Sequence, residues 1–511
     1  MDYKLLKDVE PRDYQKNIAE TASKQNTLVV LPTGLGKTLI AILVALNRLE
    51  KYPESKILIT APTRPLNAQH KRTFEKSTGI NPEEIFLITG KINPKERKEM
   101  YKIARVVVAT PQTIENDLEN GCIDLKEFSL VVFDEAHRCV KDYAYTLIAK
   151  KYTEQSKFPL ILGLTASPGG SYERINEIRK NLFVEAVEIR EETEADVEKY
   201  VMPIQREFEY VDFPEEFKKI KSLLEERYKE DMFWLRDHHF IQTLKPSKKS
   251  LLMLQKRFGA RMMEGSRNYS FMWAVIRVAE AIKIEYALEL LETQGISSLL
   301  EYFKKVEASK KRTDMQLSKD PRILEAIKAT KELKERGIEH PKIEKLISIV
   351  KDMVEEKKDA KIIVFANYRY TVDKINSLLE KNGINSNIII GQSIKEGKGL
   401  TQQQQIEILK RFSDGEFNVL CGTQVSEEGL SIVDVDAVIF FESVPSEIRK
   451  IQRTGRTGRT APGRVIFLIT KDTRDEAYYW TAFHKERKMK GILYEMKDKM
   501  KKRNLKEWIK K

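Results

Sequence analysis

Three stretches carry the residue types that phosphate chemistry needs. The first is Leu31-Pro32-Thr33-Gly34-Leu35-Gly36-Lys37-Thr38. Glycines let a turn's backbone N–H groups close around an anion, Lys37 would reach the outer phosphates, and the Thr38 hydroxyl would ligate Mg2+. The strict form of this loop has glycine where Leu31 stands. The second stretch is Asp134-Glu135-Ala136-His137. Asp134 would hold Mg2+ through its water shell, while Glu135 would orient and deprotonate the attacking water. The third is Gln452-Arg453-Thr454-Gly455-Arg456-Thr457-Gly458-Arg459. Arginines three residues apart around glycines serve no core, but they can stabilise charge building on a transferred phosphoryl group.

Smaller signals lie around these three. Gln15, in Pro11-Arg12-Asp13-Tyr14-Gln15, has an amide that could both donate to and accept from an adenine edge, although a surface glutamine reads the same way. Ala61-Pro62-Thr63-Arg64 and Thr110-Pro111-Gln112-Thr113 offer hydroxyls, a cation and helix starts to a nucleic-acid backbone, and ordinary helix capping fits them equally. Thr165-Ala166-Ser167 could bond the acidic loop and sense the γ-phosphate, with His137 coupling the two; a plain turn is the other reading.

The elements that must position these residues follow from hydrophobic patterning. Six short apolar runs, 28–31, 57–60, 85–88, 106–109, 130–133 and 160–164, alternate with helical periodicity over residues 1–200. Unbroken runs of this kind predict parallel strands covered by helices on both faces, with ligands at their carboxyl ends. The same pattern returns at 361–366, 419–421 and 437–441. Between the two blocks, helical periodicity dominates 217–229, 251–263, 271–291 and 298–310. Residues 241–270 hold seven Lys/Arg against one acidic residue, with aromatics interleaved; Lys248, Lys249, Arg257 and Arg261 are candidates for gripping a nucleic-acid backbone. A solvated helix face over an apolar core would look alike.

In this order, T-G-L-G-K-T, D-E-A-H, T-A-S and Q-R-T-G-R-T-G-R resemble the motifs of superfamily 2 helicases. A helical insert between the lobes is shared by the branch containing the archaeal Hef proteins, the FANCM/Mph1 DNA-repair translocases and the RIG-I/Dicer RNA helicases. The P-R-x-Y-Q start, D-E-A-H and the arginine motif are most similar to Hef and FANCM. The resemblance implies an α/β fold of two RecA-like parallel-sheet lobes with an inserted all-helical domain. It places lobe one at 1–203, the insert at 204–338, lobe two at 339–490 and a basic helix or linker at 491–511.

By the same resemblance Arg456 and Arg459 act as arginine fingers from the facing lobe and Gln452 links toward the acidic loop. Thr423 contacts the nucleic-acid backbone, and Glu428-Gly429 assist the nucleotide site; Ser431 departs from the Asp many relatives carry. ATP and Mg2+ are the implied cofactors. Forked or branched DNA is the implied partner, with an RNA-dependent ATPase or a nucleotide-gated DNA clamp as alternatives. Hef proteins also carry a nuclease with an E-R-K-x-x-x-D signature, which neither Glu96-Arg97-Lys98 nor Glu486-Arg487-Lys488 completes, so the chain resembles the helicase portion alone.

Composition narrows the classes further. A net charge of +13 and a pI near 9.2 suit a polyanionic partner, and His484–Lys511 alone holds twelve Lys/Arg against four Asp/Glu. Three scattered cysteines exclude a disulfide framework or a zinc site. No apolar run approaches the roughly 20 residues of a bilayer span, and the chain reads as a cytoplasmic protein.

Overall fold

The computed structural model describes all residues except 1–3, 7, 264–268, 392–398, 424–433, 445, 455, 456, 458–461, 510 and 511, and for 503–509 the backbone alone. Seven strands open the chain: β1 (Thr27–Val30), β2 (Lys56–Thr60), β3 (Ile85–Ile88), β4 (Val106–Ala109), β5 (Phe128–Asp134), β6 (Ile161–Thr165) and β7 (Ala186–Ile189). They form one parallel sheet in the order β3-β4-β2-β5-β6-β1-β7. Alternate residues feed different cores: Leu28, Leu58, Val107, Val131 and Phe133 pack on one face, while Val29, Ile57, Val106, Leu130 and Val132 pack on the other. That two-sided burial is why the runs read as unbroken apolar stretches.

A second parallel sheet, β10-β11-β9-β12-β13-β8, contains β8 (Ile204–Val211), β9 (Ile362–Phe365), β10 (Ser386–Ile389), β11 (Val419–Gly422), β12 (Ala437–Phe440) and β13 (Gly463–Thr470). Here the expected boundary moves. Residues 204–211, placed with the helical insert by the sequence reading, pair with β13 from Ile204–Gly463 to Val211–Thr470. Ile-Gln-Arg-Glu-Phe-Glu-Tyr-Val alternates with charges because an edge strand is only half covered, and Arg464 Nε donates to Glu207 at 2.8 Å across the pair.

The insert then comprises helices Glu215–Asp237, Lys248–Met263, Tyr269–Thr293, Ile296–Glu307, Arg312–Leu317 and Pro321–Glu335 around two apolar clusters. The chain closes with a 36-residue helix, Arg474–Ile509, so the boundary expected at 490 falls inside one element. This helix starts on lobe two and returns to lobe one, where Met489, Leu493 and Met496 join the core. Ion pairs Lys490–Glu191 (2.5 Å) and Lys497–Glu188 (3.0 Å) fasten it there. Among the described residues, no helix is long and apolar enough to cross a membrane.

Candidate nucleotide site and interlobe cleft

Strand order places the chemistry. β1, β6, β5, β2 and β4 are successive neighbours, so the loops that follow them line one edge of the sheet. The phosphate loop leaves β1 and turns into helix Lys37–Lys51 through Gly34 (φ 91) and Gly36 (φ 71). Both sit in the left-handed region that glycine alone enters without cost. At Gly36 space adds to conformation, because a Cβ would stand 2.5 Å from Gln15 Nε2.

Gln15 is buried and its amide braces the loop. Nε2 donates to Leu35 O (3.1 Å), and Oε1 accepts from the Arg12 N–H (2.9 Å). The Tyr14 hydroxyl donates to the same Leu35 carbonyl at 2.8 Å. Lys37 Nζ folds back on the loop, donating to Leu31 O (3.0 Å) and Pro32 O (3.3 Å). Thr38 follows it in the first turn of the helix.

Asp134 ends β5, and Glu135 follows with φ 50, a left-handed conformation rare for a non-glycine residue. Asp134 Oδ1 accepts the Glu135 N–H at 2.9 Å, and Oδ2 lies 2.8 Å from His70 Nε2. Burial pushes the Asp134 carboxyl up, but the His70 hydrogen bond and charge, Lys37 and the Glu135 N–H outweigh it and hold Asp134 below the usual carboxylate range. Asp134 therefore presents a charged oxygen next to the phosphate loop.

Glu135 Oε2 is buried without a hydrogen bond and lies 3.3 Å from His137 Nδ1. The same His137 nitrogen is 3.2 Å from Thr165 Oγ1, which accepts the Ser167 N–H at 3.1 Å. The acidic loop is thus joined to the loop after β6, which carries Thr165 and Ser167. The Ser167 hydroxyl in turn donates to Met489 Sδ on the long C-terminal helix at 3.0 Å.

The donor set suits Mg2+. Thr38 and Asp134 would supply hard oxygen ligands, and Mg2+ characteristically takes one or two protein oxygens plus phosphates and water. Among the described residues no cluster of three or more His, Cys, Asp and Glu could hold a metal.

Lobe two faces this edge. A cavity of about 370 Å³ between the lobes is lined by Pro32, Thr33, Ala166 and the Met489 that packs on lobe one on one side and by Lys450 and Thr454 on the other. Burial holds the Lys450 ammonium below the ordinary lysine range despite Glu486 at 3.2 Å. Gln452 is buried in helix Glu447–Thr454, which borders the cavity. Its neighbour Arg453 is fully buried, 4.8 Å from the centre of the Phe365 ring and 3.4 Å from Asn367 Oδ1, so this arginine holds lobe two together. Thr423 is buried directly after β11, its N–H donating to Ile389 O at 3.3 Å. Arg456, Arg459, Glu428 and Gly429 lie outside the described residues.

Comparison with known proteins agrees with this layout. Residues 12–175 match the DEAD/DEAH box helicase family and 341–461 the helicase conserved C-terminal domain, while 216–337 match an RNA-helicase helical bundle. The crystal structure of the Pyrococcus furiosus Hef helicase domain superposes with a TM-score of 0.72 at 45% identity, over 92% of this chain and 98% of that one. This chain belongs to the Hef helicase family. It is also 43% identical over 96% of its length to the Methanocaldococcus jannaschii "Putative ATP-dependent RNA helicase MJ1505". It is 33% identical over 90% to the Schizosaccharomyces pombe ATP-dependent DNA helicase fml1. The chain spans 61% and 57% of those two proteins. It carries the paired domains of an ATP-hydrolysing helicase in the FANCM/Mph1-like Hef branch.

In this Hef chain the expected nucleic-acid residues other than Thr423 divide into two groups. Arg64, exposed, and Thr110, half-buried, sit at the ends of the neighbouring strands β2 and β4 on the edge that carries Asp134. The insert residues belong to a separate core. Helix Lys248–Met263 buries Leu251 and Phe258 and exposes Lys249, Arg257 and Arg261. Lys248 is paired with Glu289 and lies 5.6 Å from the centre of the Tyr286 ring.

Two site residues escape sequence reading. His70 reads as a core histidine of an amphipathic helix, and only the pairing of β2 with β5 brings it to Asp134. Tyr145, fully buried, places its hydroxyl 2.6 Å from Asp134 O and 3.1 Å from Thr60 O. No motif marks either one.

Proposed function

We propose that this Hef-family chain is an ATP-driven DNA helicase or translocase that acts on forked or branched DNA in replication-fork repair. The observation that carries the reading is the cleft itself. Lys37 follows β1, and Asp134 and Glu135 follow β5, one strand apart on the same sheet edge of lobe one, opposite the helix that carries Gln452 on lobe two. In the proposed cycle ATP and Mg2+ are held by Lys37, Thr38 and Asp134, and Arg456 and Arg459 approach from lobe two. Closure brings the lobes together, and Glu135-assisted hydrolysis releases them. A strand lying across Arg64 and Thr110 on one lobe and Thr423 on the other is then gripped at two points whose separation changes. The insert, with Lys249, Arg257 and Arg261 outward, would hold the duplex arm.

DNA as the substrate is supported by relatives whose names read DNA helicase. RNA is the second reading, favoured by the RNA-helicase names of the Methanocaldococcus protein and of the Arabidopsis thaliana relative. ATPase rate at one salt concentration without nucleic acid and with single-stranded DNA, forked DNA and duplex RNA separates the two. Preferential stimulation by the fork is the expected result. Preferential stimulation by duplex RNA overturns the DNA assignment.

A further inference from the structure

Helix Arg64–Ser77 joins two parts of lobe one that the motifs treat as separate. It begins at the exposed Arg64, and Asn67 makes the loop before it and the helix one unit. Asn67 is fully buried; its Nδ2 donates to Ala61 O (2.7 Å) and Thr63 O (2.8 Å), and its Oδ1 accepts the Ala61 N–H (3.2 Å). Three residues on, on the same helical face, His70 reaches Asp134 Oδ2 at 2.8 Å. An ionised carboxylate only accepts, so the hydrogen sits on Nε2. The other ring nitrogen is buried with no hydrogen-bond partner. Packing alone does not account for a buried imidazole satisfied on one side, since an apolar side chain would leave no orphaned nitrogen. Tyr145 adds a second tie between the same strand ends, through the Thr60 and Asp134 carbonyls.

We propose that His70 is a positioning residue. It fixes the Asp134 carboxylate for a nucleotide-borne Mg2+ and transmits to it the position of the Thr63–Arg64 loop. The second half rests on the reading of that loop as a nucleic-acid contact. Asp134 Oδ1 is held by the Glu135 N–H, and His70 supplies the other restraint. Without it only the Glu135 N–H restrains the carboxylate about its broad terminal torsion. Because Asn67 locks loop to helix, a strand backbone that displaces Arg64 displaces His70, and with it Asp134 Oδ2.

The test compares His70→Leu with His70→Gln, whose amide N–H can replace Nε2–H. The first readout is a Mg2+ titration of the binding of a fluorescent ATP analogue, which needs neither hydrolysis nor nucleic acid. His70→Leu is expected to raise the Mg2+ midpoint roughly 10- to 100-fold, the range seen when an outer-sphere partner of a metal ligand is lost, and His70→Gln to restore it. An unchanged midpoint in His70→Leu overturns the positioning role. The second readout is the ratio of DNA-stimulated to unstimulated ATPase in wild type, Arg64→Ala, His70→Leu and the double variant. Transmission predicts losses that do not add, and additive losses overturn it. A wild type that no nucleic acid stimulates counts against the proposed function, while the Mg2+ titration still decides the positioning role. Should His70→Leu fail to fold, His70→Gln against the shorter His70→Asn gives the same comparison.

Discussion

At the ends of β1, β5 and β6 in lobe one, hydrogen bonds run from motif to motif. Gln15 holds Leu35, His70 holds Asp134, and His137 lies between Glu135 and Thr165. At the ends of β9 and β12 in lobe two they run outward into the insert. Glu442, after β12, accepts the Asn367 N–H at 3.3 Å and is hydrogen-bonded by Gln294 at the end of helix Tyr269–Thr293. Gln294 is also bonded to Thr371, and Arg474 joins Glu285 (3.0 Å) and Glu292 (3.1 Å) on the same insert helix. Beneath these, Lys342 and Asp475 pair with no exposure, capped by Phe441 O and the Ser443 N–H. Lobe one is thus bonded from motif loop to motif loop, and lobe two is bonded to the insert.

That contrast breaks first at the two proposed catalytic residues. Glu135→Gln leaves the acidic loop's shape but removes the proposed base, so the ATPase rate should fall by roughly 100- to 10,000-fold, and Lys37→Ala should abolish activity. A wild-type rate in either variant would reject the site assignment. In lobe two the corresponding weak point is structural. Lys342→Met alone leaves Asp475 charged and buried, and denaturant unfolding should show a loss of about 3–5 kcal/mol. Lys342→Met with Asp475→Leu should recover much of it; equal losses in the single and double variants would mean that the pair is not the origin.

Gly36→Ala sharpens the lobe-one side. The left-handed backbone costs about 1–2 kcal/mol for a residue with a Cβ, and the clash with Gln15 adds to that. Weaker binding of a fluorescent nucleotide with a modestly lower melting temperature is the expected signature.

Glu442 offers a pH test confined to lobe two. Burial pushes its carboxyl from the ordinary 4.5 up to about 7 against the pull of Gln294 and Lys342. The folded chain therefore keeps the proton that the unfolded chain loses. Its contribution to stability is fully present below about pH 4.5 and disappears as pH rises through 7. Glu442→Gln should flatten that part of the stability–pH curve, and an unchanged slope contradicts the assignment.

The smallest effect concerns the grip. Lys248 is already paired with Glu289, so neutralising Lys249, Arg257 and Arg261 together should lower the slope of log affinity against log salt by roughly 2–3. Adding Lys248→Gln should change it little more. An unchanged slope in the triple variant would return this helix to a purely structural role.

The same contrast explains what was legible in the sequence. β1 to β6 are buried on both faces, so their apolar runs stand out and fall within a residue or two of the observed strands. β7 has Glu188 in a four-residue edge, β8 alternates with charges, and β10 begins Ser-Asn, so none announces itself. β13 is apolar but directly follows the arginine motif, which dominates the reading there. In the site, Lys37, Asp134, Glu135, His137, Thr165 and Ser167 were readable because each sits in a run of residue types that chemistry requires. His70, Tyr145 and the Lys342–Asp475 pair were not, because single residues gain meaning only once strands or helices distant in sequence pack together.

In the proposed cycle, nucleotide at lobe one and nucleic acid across both lobes close the cleft with the insert carried on lobe two. The most direct measurement is the distance between a dye on lobe one, at the exposed Lys157, and one on lobe two, at the exposed Lys381, read with forked DNA, a non-hydrolysable ATP analogue, both, or neither. The account predicts that both together shorten the distance more than either alone, and that a dye on the insert keeps a constant distance to lobe two throughout. A lobe-to-lobe distance that ignores nucleotide, or an insert that moves independently of lobe two, would contradict it.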